Sequence, residues 1–144
     1  MTMIAPTQPV HPSPHRAKTS LAALLYGLCA APVAWCTGEL VNATLAQEAC
    51  FPGTEPLQLP TITNLHGLQF AVMALSLLIS ASAAWVALQA WRATRFEHDG
   101  GPHTLLAIGE GRSRFMALAG ILTSVGFGVA TLFSWPAIQF VGFC

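Results

Sequence analysis

Charge is the scarcest property of this 144-residue sequence. Asp, Glu, Lys and Arg together make up 8% of it, against roughly a quarter in an ordinary soluble domain. Six basic and six acidic residues cancel to a formal net charge of zero, so nothing suggests nucleic-acid binding, which rests on an excess of Lys and Arg facing the phosphates. Catalytic motifs are missing as well. The chain has no Walker loop, no GxGxxG, no GxSxG, no HExxH and no CxxC, the spacings that cradle phosphates, expose a nucleophile or hold a metal. Of the five histidines only His66 lies near an apolar block, and it lies at its rim, whereas a bis-His haem needs two inside a bundle. No inverted repeat of the transporter kind is visible. The expectation is a protein that is not an enzyme and carries no cofactor and no metal.

What the chain does have is apolar surface. Hydrophobic residues are 53% of the sequence, more than a soluble domain of this size can hide, and they fall into three long blocks. These run about Thr19 to Leu45, Leu65 to Trp91 and Phe115 to Phe143, each above the ~20 residues that a helix needs to cross ~30 Å of hydrocarbon. Pro32 and Pro136 interrupt two of them, which transmembrane helices tolerate when neighbours re-satisfy the freed carbonyl. The predicted fold class is all-α, a polytopic integral membrane protein of three transmembrane helices over about 19–48, 64–95 and 112–142. Residues 1–18, with four prolines in MTMIAPTQPVHPSPHRAK and few large apolar side chains, are expected to form a disordered tail. His11 and His15 are read there as solvated residues. Arg16 and Lys18 before LAALLYGLCAA would also suit a signal peptide, but the block runs past a normal h-region and no small-x-small site ends it.

The basic residues orient the chain. Arg16 and Lys18 precede the first helix, and Arg92, Arg95, Arg112 and Arg114 lie in or beside the second connection. The first connection, EACFPGTEPLQLPTITN, holds no Lys or Arg. The positive-inside rule then places the N-terminus inside and the C-terminus outside, with Trp91 an interfacial anchor on the inner side. His98 and His103, around DGGP in the inner loop, are read as part of a solvated turn. Leu105, Leu106 and Ile108 suggest a short segment on the inner membrane surface.

Four cysteines divide into two kinds. Cys29 and Cys36 are within helix 1 and are expected to be buried small hydrophobes. Cys50 follows the outer end of helix 1 and Cys144 lies at the outer end of helix 3. A compartment outside a bacterial inner membrane permits disulfides, and a Cys50–Cys144 bridge is the favoured reading. The alternative is a thiol pair handling redox exchange or copper with His66.

The outer half of the membrane also receives polar side chains from all three helices: Glu39 and Asn42, Gln69, and Gln139. An unpaired carboxylate in hydrocarbon is costly. Glu39 is therefore expected to be protonated or hydrogen-bonded to Asn42, Gln69 or Thr37, to face a partner subunit, or to serve a proton or quinone site. Close packing is signalled by Gly120, Ser124 and Gly128 on helix 3, Ser76, Ser80 and Ala84 on helix 2, and Ala30, Ala34 and Gly38 on helix 1. Such small residues let transmembrane helices approach. Asn42-Ala43-Thr44 matches a glycosylation sequon but lies within the expected membrane span.

The run APVAWCTGELVNATLAQEAC resembles a pattern in small, poorly characterised bacterial inner-membrane proteins, through Pro32, Ala34, Trp35, Asn42 and Cys50. The closing block is similar to theirs through Arg114, Phe115, Pro136 and Cys144. The family's aromatic residue after the Asn is replaced by Ala43, and its closing Pro-Cys pair by Gly-Phe-Cys. Such proteins are often encoded beside haem-copper terminal oxidase genes. The resemblance implies a non-catalytic accessory or assembly subunit of a respiratory membrane complex, with cytochrome c oxidase subunits as partners.

Overall fold

The computed structural model describes residues 19–55, 57, 59–95 and 112–140, the side chains of 139 and 140 excepted. The tail 1–18, the loop 96–111 with His98, His103 and Leu105, the side chain of Gln139 and Cys144 lie outside the described residues. Three helices account for all the regular structure among them: α1 (Leu21–Cys50), α2 (Leu65–Thr94) and α3 (Arg112–Phe140). All three are long and apolar enough to span a membrane. α1 and α2 start and end within two residues of the bounds expected from the sequence, and α3 starts at the expected Arg112.

Local chemistry sets those ends. The Ser20 hydroxyl accepts from the Ala23 amide at 3.1 Å and caps α1, meeting one of the amides that a helix start leaves open. At the other end the chain folds back on the last turn. The amide of Phe51 donates to the Gln47 carbonyl, that of Leu57 to Cys50 and that of Thr61 to Ala49, at 2.8, 2.8 and 3.0 Å. The Thr61 hydroxyl also donates to the Ala49 carbonyl, at 3.3 Å. The carbonyls that a helix C-terminus exposes are thus met by its own loop.

Each helix packs against both others. The bundle is turned inside out relative to a soluble one. Its interior is made mostly of small and hydroxyl side chains, among them Gly27, Ala31, Ser76, Ser80, Ala87, Ala117 and Ser124, with Leu24, Leu65 and Met73 the large apolar ones buried beside them. Large apolar side chains point outward, with Leu40, Leu78 and Phe133 between 68% and 77% exposed. Lipid tails solvate such side chains as well as a core would, so helix association here rests on close van der Waals contact and interhelical hydrogen bonds.

The tightest approach joins all three helices. A Cβ on Gly27 would stand 3.0 Å from that of Ala87, and one on Gly120 would stand 3.1 Å from the Gly27 carbonyl group. One turn from Gly120, the Ser124 hydroxyl donates to the Gly27 carbonyl at 2.9 Å. Beside it the Thr123 hydroxyl reaches the Leu28 carbonyl at 3.3 Å, while also lying within bonding distance of its own helix at Ala119 and Gly120. Leu28 is four residues before Pro32, so its carbonyl is the one that the proline leaves without an amide. A neighbouring helix supplies the donor, as irregular backbone in lipid requires. Nearby, Tyr26 on α1 and Ser82 on α2 bond through their hydroxyls at 2.7 Å.

These contacts fix the relative directions. Gly27, Ala87 and Gly120 meet at one level, whereas Gly38 meets Ser76 further along α1 and Phe70 meets Trp135. α1 and α3 therefore run the same way and α2 runs against them. Arg92, Arg95, Arg112 and Arg114 gather at one end of the bundle, the start of α1, and Cys50 and the first loop lie at the other.

Candidate functional site

Glu39, Asn42 and Gln69 belong to the half of the bundle nearer Cys50, as read from the sequence. α1 brings Trp35, Glu39 and Asn42 onto one stripe by their spacing of four and three. That stripe points toward α3, because the Trp35 ring packs on Phe127 with centroids 5.5 Å apart and planes tilted by 54°. Gln69 comes from α2, seven residues before Ser76. Ser76 opposes Gly38, so Gln69 lies less than one turn beyond Asn42 toward the Cys50 end, at ~1.5 Å per residue. Asn42 and Gln69 are buried, at 4% and 3% exposure, and Glu39 is half-buried.

The expected hydrogen bonds are not made. Glu39 does not bond to Asn42, Gln69 or Thr37. The buried Oε1 of Glu39, both amide atoms of Asn42, Oε1 of Gln69 and Nε1 of Trp35 have no partner in the protein. The hydroxyls nearby are engaged elsewhere: Ser76 with the carbonyls of Ala34 and Val72 at 3.2 and 3.1 Å, and Thr131 with that of Phe127 at 2.8 Å. No arginine approaches, since the four described ones are at the far end. The layer thus presents three unmatched oxygen acceptors and two unmatched N–H donor groups between the helices. Gln139 is on α3, its side chain outside the described residues.

The small-residue positions divide. Gly120 and Ser124 make the close approach just described, whereas Gly128 reaches only ordinary contact with the Cβ of Ser80, at 3.7 Å. On α1 the approach runs through Gly27 and Gly38 rather than Ala30 and Ala34, which are half-buried. Ala30, Ala34, Gly38 and Ser76 instead floor a groove of about 450 Å³ on the outward side of α1 and α2, walled by Val33, Val41, Val72, Leu75 and Ile79.

The cysteines correct one expectation. Cys29 and Cys36 are free and exposed on the outside of α1, not buried. The inward positions of that helix are held by Gly27, Ala31 and Gly38, since helix approach at Gly27 leaves room for nothing larger. Cys50 is fully buried and is not a free thiol. His66 is exposed at the start of α2. Among the described residues no three His, Cys, Asp or Glu side chains converge on a point that would suit a metal.

Sequence reasoning passed over Trp35 and Thr123 as parts of the architecture. The signal for Thr123 was present: Pro32 frees the Leu28 carbonyl, and a hydroxyl on another helix is the cheapest donor. Trp35 carried no such signal, because its unmatched N–H depends on where Phe127 holds the ring. No family model, no curated protein and no solved structure matches the chain.

Proposed function

We propose that this chain is a non-catalytic accessory or assembly subunit of a respiratory membrane complex, by its resemblance a haem-copper terminal oxidase of a bacterial inner membrane. The observation that carries the subunit reading is the groove on α1 and α2. It is open toward lipid, floored by Ala34, Gly38 and Ser76, and walled by branched side chains, a form that receives a helix from another subunit by close packing. The arginines at one end favour that end as cytoplasmic, which puts Cys50 on the periplasmic side. There a Cys50–Cys144 disulfide would tie the last helix to the first loop. The burial and bonded state of Cys50 favour this structural role over a thiol-redox or copper-handling factor built from Cys50, Cys144 and His66.

The test is purification of the tagged protein from native membranes in mild detergent, with co-purifying chains identified by mass spectrometry. Oxidase subunits in fixed ratio are expected, and their loss on Val33→Trp, at an exposed wall of the groove, would locate the contact. Recovery of the protein alone from both would overturn the stable-subunit reading.

A further inference from the structure

The unmatched polar atoms at the Cys50 end are confined to one region. Trp35, Glu39 and Asn42 follow one another along α1, and Gln69 enters from α2 within a turn of Asn42. Two of the four side chains are more than nine-tenths buried, yet none of the atoms named has a protein partner. Leaving such groups dry in hydrocarbon is costly. One long side chain meeting another would satisfy at most a pair of them, and would leave the rest.

The set is mixed in a telling way. Glu39 Oε1, Asn42 Oδ1 and Gln69 Oε1 accept, while Trp35 Nε1 and Asn42 Nδ2 donate. A ligand matching both kinds must itself donate and accept in several directions. Water does so, and a buried water typically makes about three hydrogen bonds to groups of this sort. Among the described residues the one other buried polar atom without a partner is Thr19 Oγ1, at the opposite end. Towards the arginine end the helices close to backbone contact at Gly27, Ala87 and Gly120, and the serine and threonine hydroxyls there bond to carbonyls.

We propose that Trp35, Glu39, Asn42 and Gln69 form a bound-water site: an internal pocket hydrated from the Cys50 end, and closed at its inner limit by Trp35 on Phe127. Glu39 sits in it as a hydrated carboxyl. The pocket is blind and does not form a path across the membrane. The inference does not depend on the oxidase reading.

Water-edited solid-state NMR on the full chain in lipid vesicles tests it, by the rate at which water magnetisation reaches each side chain. Glu55, exposed in the first loop, is the wet reference. Met73, 2% exposed and one residue from the Val72 that meets Gly38, is the dry reference at similar depth. Transfer to the carboxyl and carboxamide carbons of Glu39, Asn42 and Gln69 is expected near the Glu55 rate and several-fold above that of Met73. Rates equal to that of Met73 would overturn the proposal, as would transfer arising from lipid or co-purified quinone protons instead of water. In the double variant Asn42→Leu with Gln69→Leu, transfer to Glu39 is expected to fall severalfold. If it stays fast, the four residues are not one site. Should that variant fail to fold, the wild-type rates decide alone.

Discussion

At the scale of single residues, the bundle is governed by what a Cβ or a hydroxyl meets. Gly120 and Gly126 are both glycines of α3, but a Cβ on Gly120 would stand 3.1 Å from backbone of α1, and one on Gly126 would meet nothing within 4 Å. Gly120→Leu is therefore expected to cost as much as a severe overpacking substitution, about 1–3 kcal/mol or more, and Gly126→Leu close to nothing. Unfolding of the two variants in lipid bicelles, followed by steric trapping, reads the difference. Equal stabilities would show that the close approach at Gly27 is not structural. The spacing of Gly120, Ser124 and Gly128 was legible in the sequence as a ladder. That Gly120 is its tight rung and Gly128 a loose one was not, because a repeat of four residues does not say where along α3 the neighbouring helices cross it.

At the scale of the helix, α1 is held by hydrogen bonds that begin on other elements. The Leu28 carbonyl, opened by Pro32, takes the Thr123 hydroxyl. Removing that hydroxyl by Thr123→Val is expected to cost ~1 kcal/mol, the scale of an interhelical bond in lipid. In a Pro32→Ala background the backbone amide restored by the substitution would serve Leu28 from within α1, so the same Thr123→Val change is expected to cost less. A double-mutant cycle on unfolding free energies measures this coupling, and strictly additive effects would break the link between proline and threonine. The sequence showed both that α1 spans a membrane and that its proline needs a donor. It could not show which hydroxyl answers. Ser76 and Ser124 bond to other carbonyls of α1, at Ala34 and Gly27, and only the crossing of α3 over Leu28 singles out Thr123. The outward position of Cys29 and Cys36 escaped for the same reason. The two share a face by spacing, and which face is inward was settled by Gly27 and Gly38.

At the scale of the whole molecule, the architecture was the most legible part, since three long apolar blocks with few charges admit little else. The proposed orientation carries its own test. A cysteine placed by Gly53→Cys in the first loop is expected to react with a membrane-impermeant maleimide on intact spheroplasts, and one placed by Ala93→Cys near the end of α2 only after lysis, both in a chain with Cys29 and Cys36 replaced by serine. The reverse pattern would invert the topology. The unpaired state of the polar layer could not be read beforehand. The sequence showed that Glu39, Asn42 and Gln69 lie in the same half of the membrane, with Glu39 a turn deeper than Asn42, and that nearness made mutual bonding one natural expectation. Their side chains come from different angular positions, Glu39 toward α3 and Gln69 from α2, and only the fold sets those angles. A last consequence concerns time. The donor that meets the Leu28 carbonyl opened by Pro32 lies 95 residues further along the chain. α1 leaves the ribosome first and waits for it with that carbonyl open while α2 is made. A chain halted before Thr123 would reach the bilayer as a hairpin whose first helix is still chemically unfinished, so completeness of synthesis is written into the hydrogen bonding of its earliest segment.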